Sequence, residues 1–363
     1  MRKWIASFGL FFAALPLMAQ SGQDVTIHYG ADFQYHFDNR EFSASSDKVT
    51  PSYTEHAVVF TPTLGLSWLQ NPNAKHSIIG GVDLRHDMGE SSWRHVAKEA
   101  VIYYKADVNA DGGRFQGFAG VFPRRLREGS YSEAFYSDSL VFNDRNLEGI
   151  LLKWQKGNFY TEFGCDWMGK LGHEVRERFQ LFSAGSYRAS DWLTLGWTGV
   201  FYHYACSELA PGVVDNHLLE PWAKADFSGY APGWKELSIQ AGVLAGYQRN
   251  RKIQDKPDFP VGAEITLTAQ RKNIIFRNIS YFGDNLQAMY HERDEAGLIY
   301  GNNLYPGLPF YTGFYDRAEV SWEPQLTKSL SLRVAARAHF GKDGFLGWQQ
   351  VVSLRFNLEG IKF

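Results

Sequence analysis

The sequence predicts an all-β fold, a transmembrane antiparallel β-barrel of about 16 strands (roughly 14–18) with short turns at one rim and long loops at the other. Three observations predict it. Apolar residues recur at every second position in segment after segment. No apolar run beyond the N-terminus approaches the roughly 20 residues that a spanning helix needs. The connections sort into a short set and a long set.

The N-terminus predicts export. Met1-Arg2-Lys3 is positive, Trp4 to Leu17 is almost wholly apolar, and Leu17-Met18-Ala19 puts a small residue at a cleavage position. Residues 1–19 read as a signal peptide, leaving 20–363 as one barrel domain with no linker or composition shift to divide it. No cysteine follows the cleavage position, so no lipid anchor is expected. In lipid only helices and closed barrels satisfy their own backbone groups. A balance of 37 basic and 39 acidic residues argues against nucleic acid, and two cysteines make no disulfide scaffold.

Alternation begins at once. Val25, Ile27, Tyr29, Ala31, Phe33, Tyr35 and Phe37 share one face, with Thr26, His28, Gly30, Asp32, Gln34 and His36 on the other. The pattern returns in Val58–Trp68, Leu193–Phe201, Leu237–Tyr247, Val261–Ala269 and Leu330–Phe340. Pro62 and Pro221 fall inside expected strands, where each deletes a ladder bond and suggests a bulge or register change. The two faces of Asn273–Gly283 do not separate.

In a soluble sandwich the charged face meets water; in a spanning barrel the apolar face meets lipid and the charged face lines the lumen. Connection lengths decide between them. Gln70–Lys75, Ala110–Gly113, Lys156–Asn158, Ala189–Asp191, Gly229–Lys235, Arg271–Asn273 and Gln325–Ser329 are short. Asp38–Thr54, Met88–Val96, Pro123–Asn146, Ser207–Asp215, Arg249–Pro257 and Gly283–Phe310 are mostly longer. Only a barrel inserted from one side has reason to sort its loops this way.

At the C-terminus Val352, Leu354, Phe356 and Leu358 alternate toward a final Phe363. This resembles the terminal strand of porin-like outer-membrane β-barrels of Gram-negative bacteria. The resemblance covers the mature chain at the level of architecture. It implies the cell outer membrane as location, and outer-membrane lipid and the barrel-assembly machinery as partners.

Three local motifs have plain readings. Asp107-Val108-Asn109-Ala110-Asp111-Gly112 opens like an EF-hand loop, but Phe118 stands where the closing glutamate belongs, so a hairpin turn is expected and no metal. Asp215 with His217, and His86 with Asp87, are the nearest acid–imidazole pairs for a hydrolase at the rim, and eleven histidines make such pairs common by chance. Cys165 and Cys206 are expected to point in opposite directions and to stay unpaired. No catalytic, cofactor or metal site is expected.

The luminal charges are more informative. Arg317, Glu319, Arg333, Arg337 and Arg355 take the inward phase on the last three strands, with Arg178, Asp83 and Arg85 elsewhere. Leu332 and Val334 should then meet lipid, Arg333 should face the lumen and be dispensable for folding, and only Glu319 should neutralise the arginine wall. The connection Pro123–Asn146 carries Arg124, Arg125, Glu133 and Asp138, and Gly283–Phe310 carries Tyr290, Tyr300 and Tyr305. A folded-in loop with acids facing an arginine wall resembles the constriction of general porins. The sequence thus points to passive diffusion of small hydrophilic solutes, with a bias toward anions. A closed-lumen binding or structural protein acting through its loops, and a rim-site hydrolase, are the alternatives.

Overall fold

The computed structural model describes residues 25–43, 52–209, 212–286, 297 and 310–361. The expected signal peptide, Tyr290, Tyr300, Tyr305 and Phe363 lie outside them. Sixteen antiparallel strands follow in chain order: β1 Val25–Phe42, β2 Tyr53–Asn71, β3 Ala74–Asp87, β4 Ala97–Ala110, β5 Gly113–Pro123, β6 Asn146–Lys156, β7 Phe159–Gly169 and β8 Arg178–Arg188. The second half holds β9 Leu193–Tyr204, β10 Val214–Asp226, β11 Glu236–Asn250, β12 Val261–Arg271, β13 Ile274–Gly283, β14 Gly313–Trp322, β15 Leu330–Gly341 and β16 Gly344–Ile361. Each strand pairs with its sequence neighbours, and β1 pairs with β16, so the sheet closes and leaves no edge.

The period-two pattern sets the two faces. On β11 Ile239 and Val243 are exposed on the outside, while Ser238, Gln248 and Asn250 are buried inside. Val320 and Trp322 lie outside on β14, opposite in phase to the buried Arg317 and Glu319. The prolines bring no bulge. At Pro62 the β2–β3 ladder skips from Phe60↔Leu84 to Thr63↔Gly81 in unchanged register, and β10–β11 does the same around Pro221. Each missing N–H opens one ladder toward one neighbour, and the other neighbour holds the strand in line.

β13 shows why its sequence did not separate. Ile274, Phe276 and Phe282 are exposed on the outside, but Asn278 and Ser280 share that face. Both bond the carboxylate of Asp316 on β14: Ser280 Oγ donates at 2.6 Å and Asn278 Nδ2 at 3.0 Å. The outward polar residues satisfy one another across the ladder, and alternation is masked.

The rims are unequal. Two residues join β2–β3, β4–β5, β6–β7 and β12–β13. Gly113 follows one of these turns at φ +119, where a β-carbon would also meet the Gln155 carbonyl. Asp107 sits on this hairpin with its carboxylate held by Arg114 at 2.6 Å, so the EF-hand resemblance ends in an ion pair. The opposite rim carries the longest connections, β5–β6 and β13–β14 among them, and also a two-residue turn between β15 and β16, while the first rim's longest connection is the nine residues between β10 and β11.

The connection from β5 to β6 departs most from a surface loop. After a 3₁₀ turn at Arg124–Leu126 it folds into the barrel and forms a short helix, α1 (Asp138–Asn143), capped by Ser137 Oγ accepting from the Leu140 N–H. Its apolar residues pack on three sectors of wall: Leu126 and Tyr131 near Phe118, Phe122, Leu151 and Phe182; Ala134 with Leu218, Leu244 and Tyr281; Phe142 with Ala57 and Val59. The loop crosses the lumen.

Candidate functional site: the luminal loop and its charged walls

The root of the loop is fixed by Arg124, which is fully buried. Its Nη1 donates to Asp166 Oδ2 at 2.8 Å, its Nε to the Asp144 carbonyl at 2.6 Å, and its Nη2 to the Asn146 carbonyl at 3.0 Å. Burial alone would weaken its hold on the proton, but Asp144 and Asp166 outweigh that and raise its pKa above the ordinary arginine value. One side chain therefore ties both ends of the connection to β7.

Arg127 holds the next turn. Its guanidinium lies 3.8 Å from the Tyr131 ring centroid and 4.1 Å from those of Tyr136 and Phe182. Behind it Glu162 accepts from Tyr131 Oη at 2.5 Å, Tyr160 Oη at 2.6 Å and the Glu128 N–H at 2.9 Å. Tyr131 is raised above the ordinary phenol value by burial and by Glu162, so it stays a donor.

Further along, the loop reaches the opposite wall. Ser132 Oγ donates to Glu264 on β12 at 2.7 Å. Arg317 Nη2 donates to Glu133 Oε1 at 2.7 Å. Arg333 Nη1 donates to Asp138 Oδ2 at 2.8 Å, and Arg337 bonds the same oxygen. Burial would raise the Asp138 carboxyl, but Arg333 and Arg337 prevail and hold it well below the ordinary carboxylate value. At the helix end, Asn143 Oδ1 accepts from Arg85 at 2.8 Å and its Nδ2 donates to Glu55 at 3.2 Å. Phe142 stacks on His36 with centroids 3.9 Å apart.

The arginines of the last three strands thus face inward as expected, but Glu319 is not their only counter-charge. Glu319 pairs with Arg333 at 2.9 Å and with Arg337, Glu323 pairs with Arg333 at 3.0 Å, and the loop adds Glu133 and Asp138. Arg333 bridges three carboxylates. Phase along a strand reports which way a side chain faces and says nothing of what crosses the lumen to meet it.

Arg355 lies apart from the other three, at a second cluster. It donates to Asp32 Oδ2 on β1 at 2.6 Å, and the loop residue Arg125 reaches that oxygen at 3.1 Å. Arg145 approaches Asp32 at 4.0 Å and donates to Gln34 Oε1 at 2.8 Å. Burial is the main influence that pushes the Arg145 guanidinium down, against the pull of Asp83 and Asp32, with a smaller contribution from Arg355 and Arg125. Asp83 accepts from Asn146 Nδ2 at 2.7 Å, and Arg85 pairs with Asp87 at 2.6 Å and Glu55 at 3.0 Å.

Three cavities with charged side chains in their walls flank the loop. One of about 310 Å³ is lined by Asp32, Lys75, Lys105, Arg125, Arg145 and Arg355. Another of about 330 Å³ lies against Asp138, Arg333 and Arg355. The third, of about 200 Å³, is lined by Asp144, Asp166 and Arg178, and Asn146 borders both it and the first.

The acid–imidazole pairs are engaged elsewhere. Asp215 pairs with Arg251 at 2.7 Å and with His203 at 3.0 Å, while His217 stacks on Tyr247. His86 stacks flat on Trp93 at 4.0 Å. Cys165 and Cys206 are free thiols, and Cys206 lies in the connection after β9 and not on a strand. Asp32, His36 and Asp38 were not singled out from the sequence, although they continue the inward phase of β1. Arg127, Arg145, Glu162 and Glu264 had no local signal beyond their charge.

No family model matches the chain, and no curated protein does. Solved structures do. A loop-deletion mutant of OmpT, an outer membrane protein of Vibrio cholerae, superposes with a TM-score of 0.51 at 10% identity over 92% of this chain and 99% of that one. A triple mutant of the Rhodopseudomonas blastica porin gives 0.46 at 8% identity over 92% and 100%. Pseudomonas aeruginosa OccK5 gives 0.42 at 11% identity over 92% and 98%. At such identities the likeness concerns the fold alone, a closed antiparallel barrel of sixteen strands.

Proposed function

We propose that this barrel is an outer-membrane channel for passive diffusion of small hydrophilic solutes, constricted by the loop between β5 and β6. The observation that carries the reading is the loop itself, latched by Glu133 and Asp138 onto Arg317, Arg333 and Arg337 and flanked by cavities with charged side chains in their walls. Solutes would pass beside the latch, where charged and amide side chains replace part of their hydration.

The location of the anionic bias changes with the pairing. Arg317, Arg333 and Arg337 are matched by acids, so their field is largely cancelled at contact distance. The cavity below the loop is not balanced: Lys75, Lys105, Arg125, Arg145 and Arg355 line it against Asp32 and Asp83. Guanidinium and ammonium groups there would favour small anions, and the arginines stay charged at any working pH.

The same ion pairs favour one alternative, a closed lumen whose long loops carry the function, because the loop touches walls on opposite sides of the barrel. Planar-bilayer recording separates the two. The channel reading expects discrete conductance steps with anion preference at low salt. A folded barrel that inserts and passes no current would leave the closed alternative.

A further inference from the structure

We propose that His36, Asp38 and Glu55 form a binding site for a borderline divalent transition cation, of which Zn²⁺ is the type, inside the barrel wall where β1 and β2 meet. One ligand atom from each of the three lies within 4.8 Å of the other two. A point equidistant from three atoms at that spacing is about 2.8 Å from each, so side-chain shifts of about 0.6–0.8 Å bring all three to the roughly 2.0–2.2 Å of zinc–nitrogen and zinc–oxygen bonds.

The imidazole is the argument for a ligand. His36 is 4% exposed, and neither Nδ1 nor Nε2 has a hydrogen-bond partner. A buried ring with two unsatisfied nitrogens is costly unless something completes it. Phe142 stacks on one face of the ring, with centroids 3.9 Å apart.

Two guanidiniums compete for the carboxylates, and the geometry leaves each acid a second oxygen. Asp38 Oδ2 accepts from Arg40 Nε at 2.9 Å, whereas its Oδ1 accepts only from the Gln349 amide at 2.7 Å. Glu55 Oε1 accepts from Arg85 at 3.0 Å, and its Oε2 accepts from the Asn143 amide at 3.2 Å. An amide NH₂ can turn aside, or rotate its carbonyl oxygen toward a cation, without losing the guanidinium pair. The arginines then act as outer partners that hold the ligating carboxylates in place. One imidazole and two carboxylates suit a four-coordinate Zn²⁺ with water at the fourth position better than Ca²⁺ or Mg²⁺, which prefer all-oxygen shells. An ion enters from the luminal cavity that His36 lines with Asp138 and Phe142.

The test is titration of the folded barrel in detergent with Zn²⁺ alone by calorimetry, and with Co²⁺ by its visible absorption. One ion per chain is expected for the native protein. His36→Asn, Asp38→Asn and Glu55→Gln should each weaken it at least tenfold, while His76→Asn, altering a ring stacked between Trp68 and Tyr104, should not. Native-like migration of unboiled samples on a denaturing gel identifies the variants that fold. Absence of stoichiometric binding to the native barrel overturns the proposal, as does binding that survives in the folded variants or is lost equally in His76→Asn. Because the readout is binding and not current, a silent channel that binds the ion leaves this site standing while removing the transport reading.

Discussion

Arg317 on β14 donates to Glu133, 184 positions away in the chain, and that contact with the neighbouring Asp138 pairs fastens the luminal loop to the far wall. If the loop narrows the passage, removing the latch should widen it. Glu133→Gln with Asp138→Asn is expected to raise single-channel conductance about twofold or more while the barrel stays heat-modifiable, since most strand pairing is untouched. Arg317 then loses its acid partner and Arg333 and Arg337 each lose one, which should also shift selectivity toward anions at low salt, where the Debye length approaches about 30 Å at 0.01 M, and much less at 1 M, where it is about 3 Å.

The pH response follows from Asp138. Its carboxyl is lowered in the folded protein, so its stabilising ion pairs are fully formed above the unfolded value of about 4 and are lost only as pH falls through the lower folded value. Conductance is therefore expected to stay level from pH 7 to about 4 and to rise only in stronger acid, and Asp138→Asn should abolish that acid rise. A transition near neutral pH would mean that another group governs the loop.

The excess of basic over acidic side chains lining the cavity below the loop gives a separate expectation. Arg125→Gln with Arg145→Gln should move the reversal potential under a low-salt gradient toward cations and leave conductance within about twofold. Selectivity unchanged by this pair would place the governing charges elsewhere in the lumen.

Facing on β15 is testable by stability. Val334 is 40% exposed on the outer wall, and Val334→Arg should cost about 2–4 kcal/mol near the bilayer midplane and impair assembly. Arg127 offers the contrast inside. Its three aromatic contacts are lost in Arg127→Leu, which should lower folding stability by about 2 kcal/mol or more, and Arg127→Lys should recover only part because an ammonium cannot stack as a plane. Denaturant midpoints in lipid vesicles check both.

Barrel class, facing and rim asymmetry were legible because each is a local property. Thr26 to His36 and Leu237 to Tyr247 state their two faces residue by residue, and hairpins such as Asp111-Gly112 state their turns. What lay beyond reading was partnership across the lumen. Asp32 meets Arg125, and Glu264 meets Ser132, through a loop whose path depends on Leu126, Ala134 and Phe142 finding apolar patches on three walls. β13 failed for a different reason. Asn278 and Ser280 face outward because Asp316 on the next strand satisfies them, and a single strand cannot reveal its neighbour's carboxylate.

The central claim is a polar passage narrowed by the β5–β6 loop, and single-channel recording of the native barrel beside Glu133→Gln/Asp138→Asn tests it most directly. The expected result is small, discrete steps from the native protein and larger ones from the variant in the same bilayer and salt. Native and variant barrels that both migrate as folded, insert and pass no current would contradict it, as would equal conductance from the two.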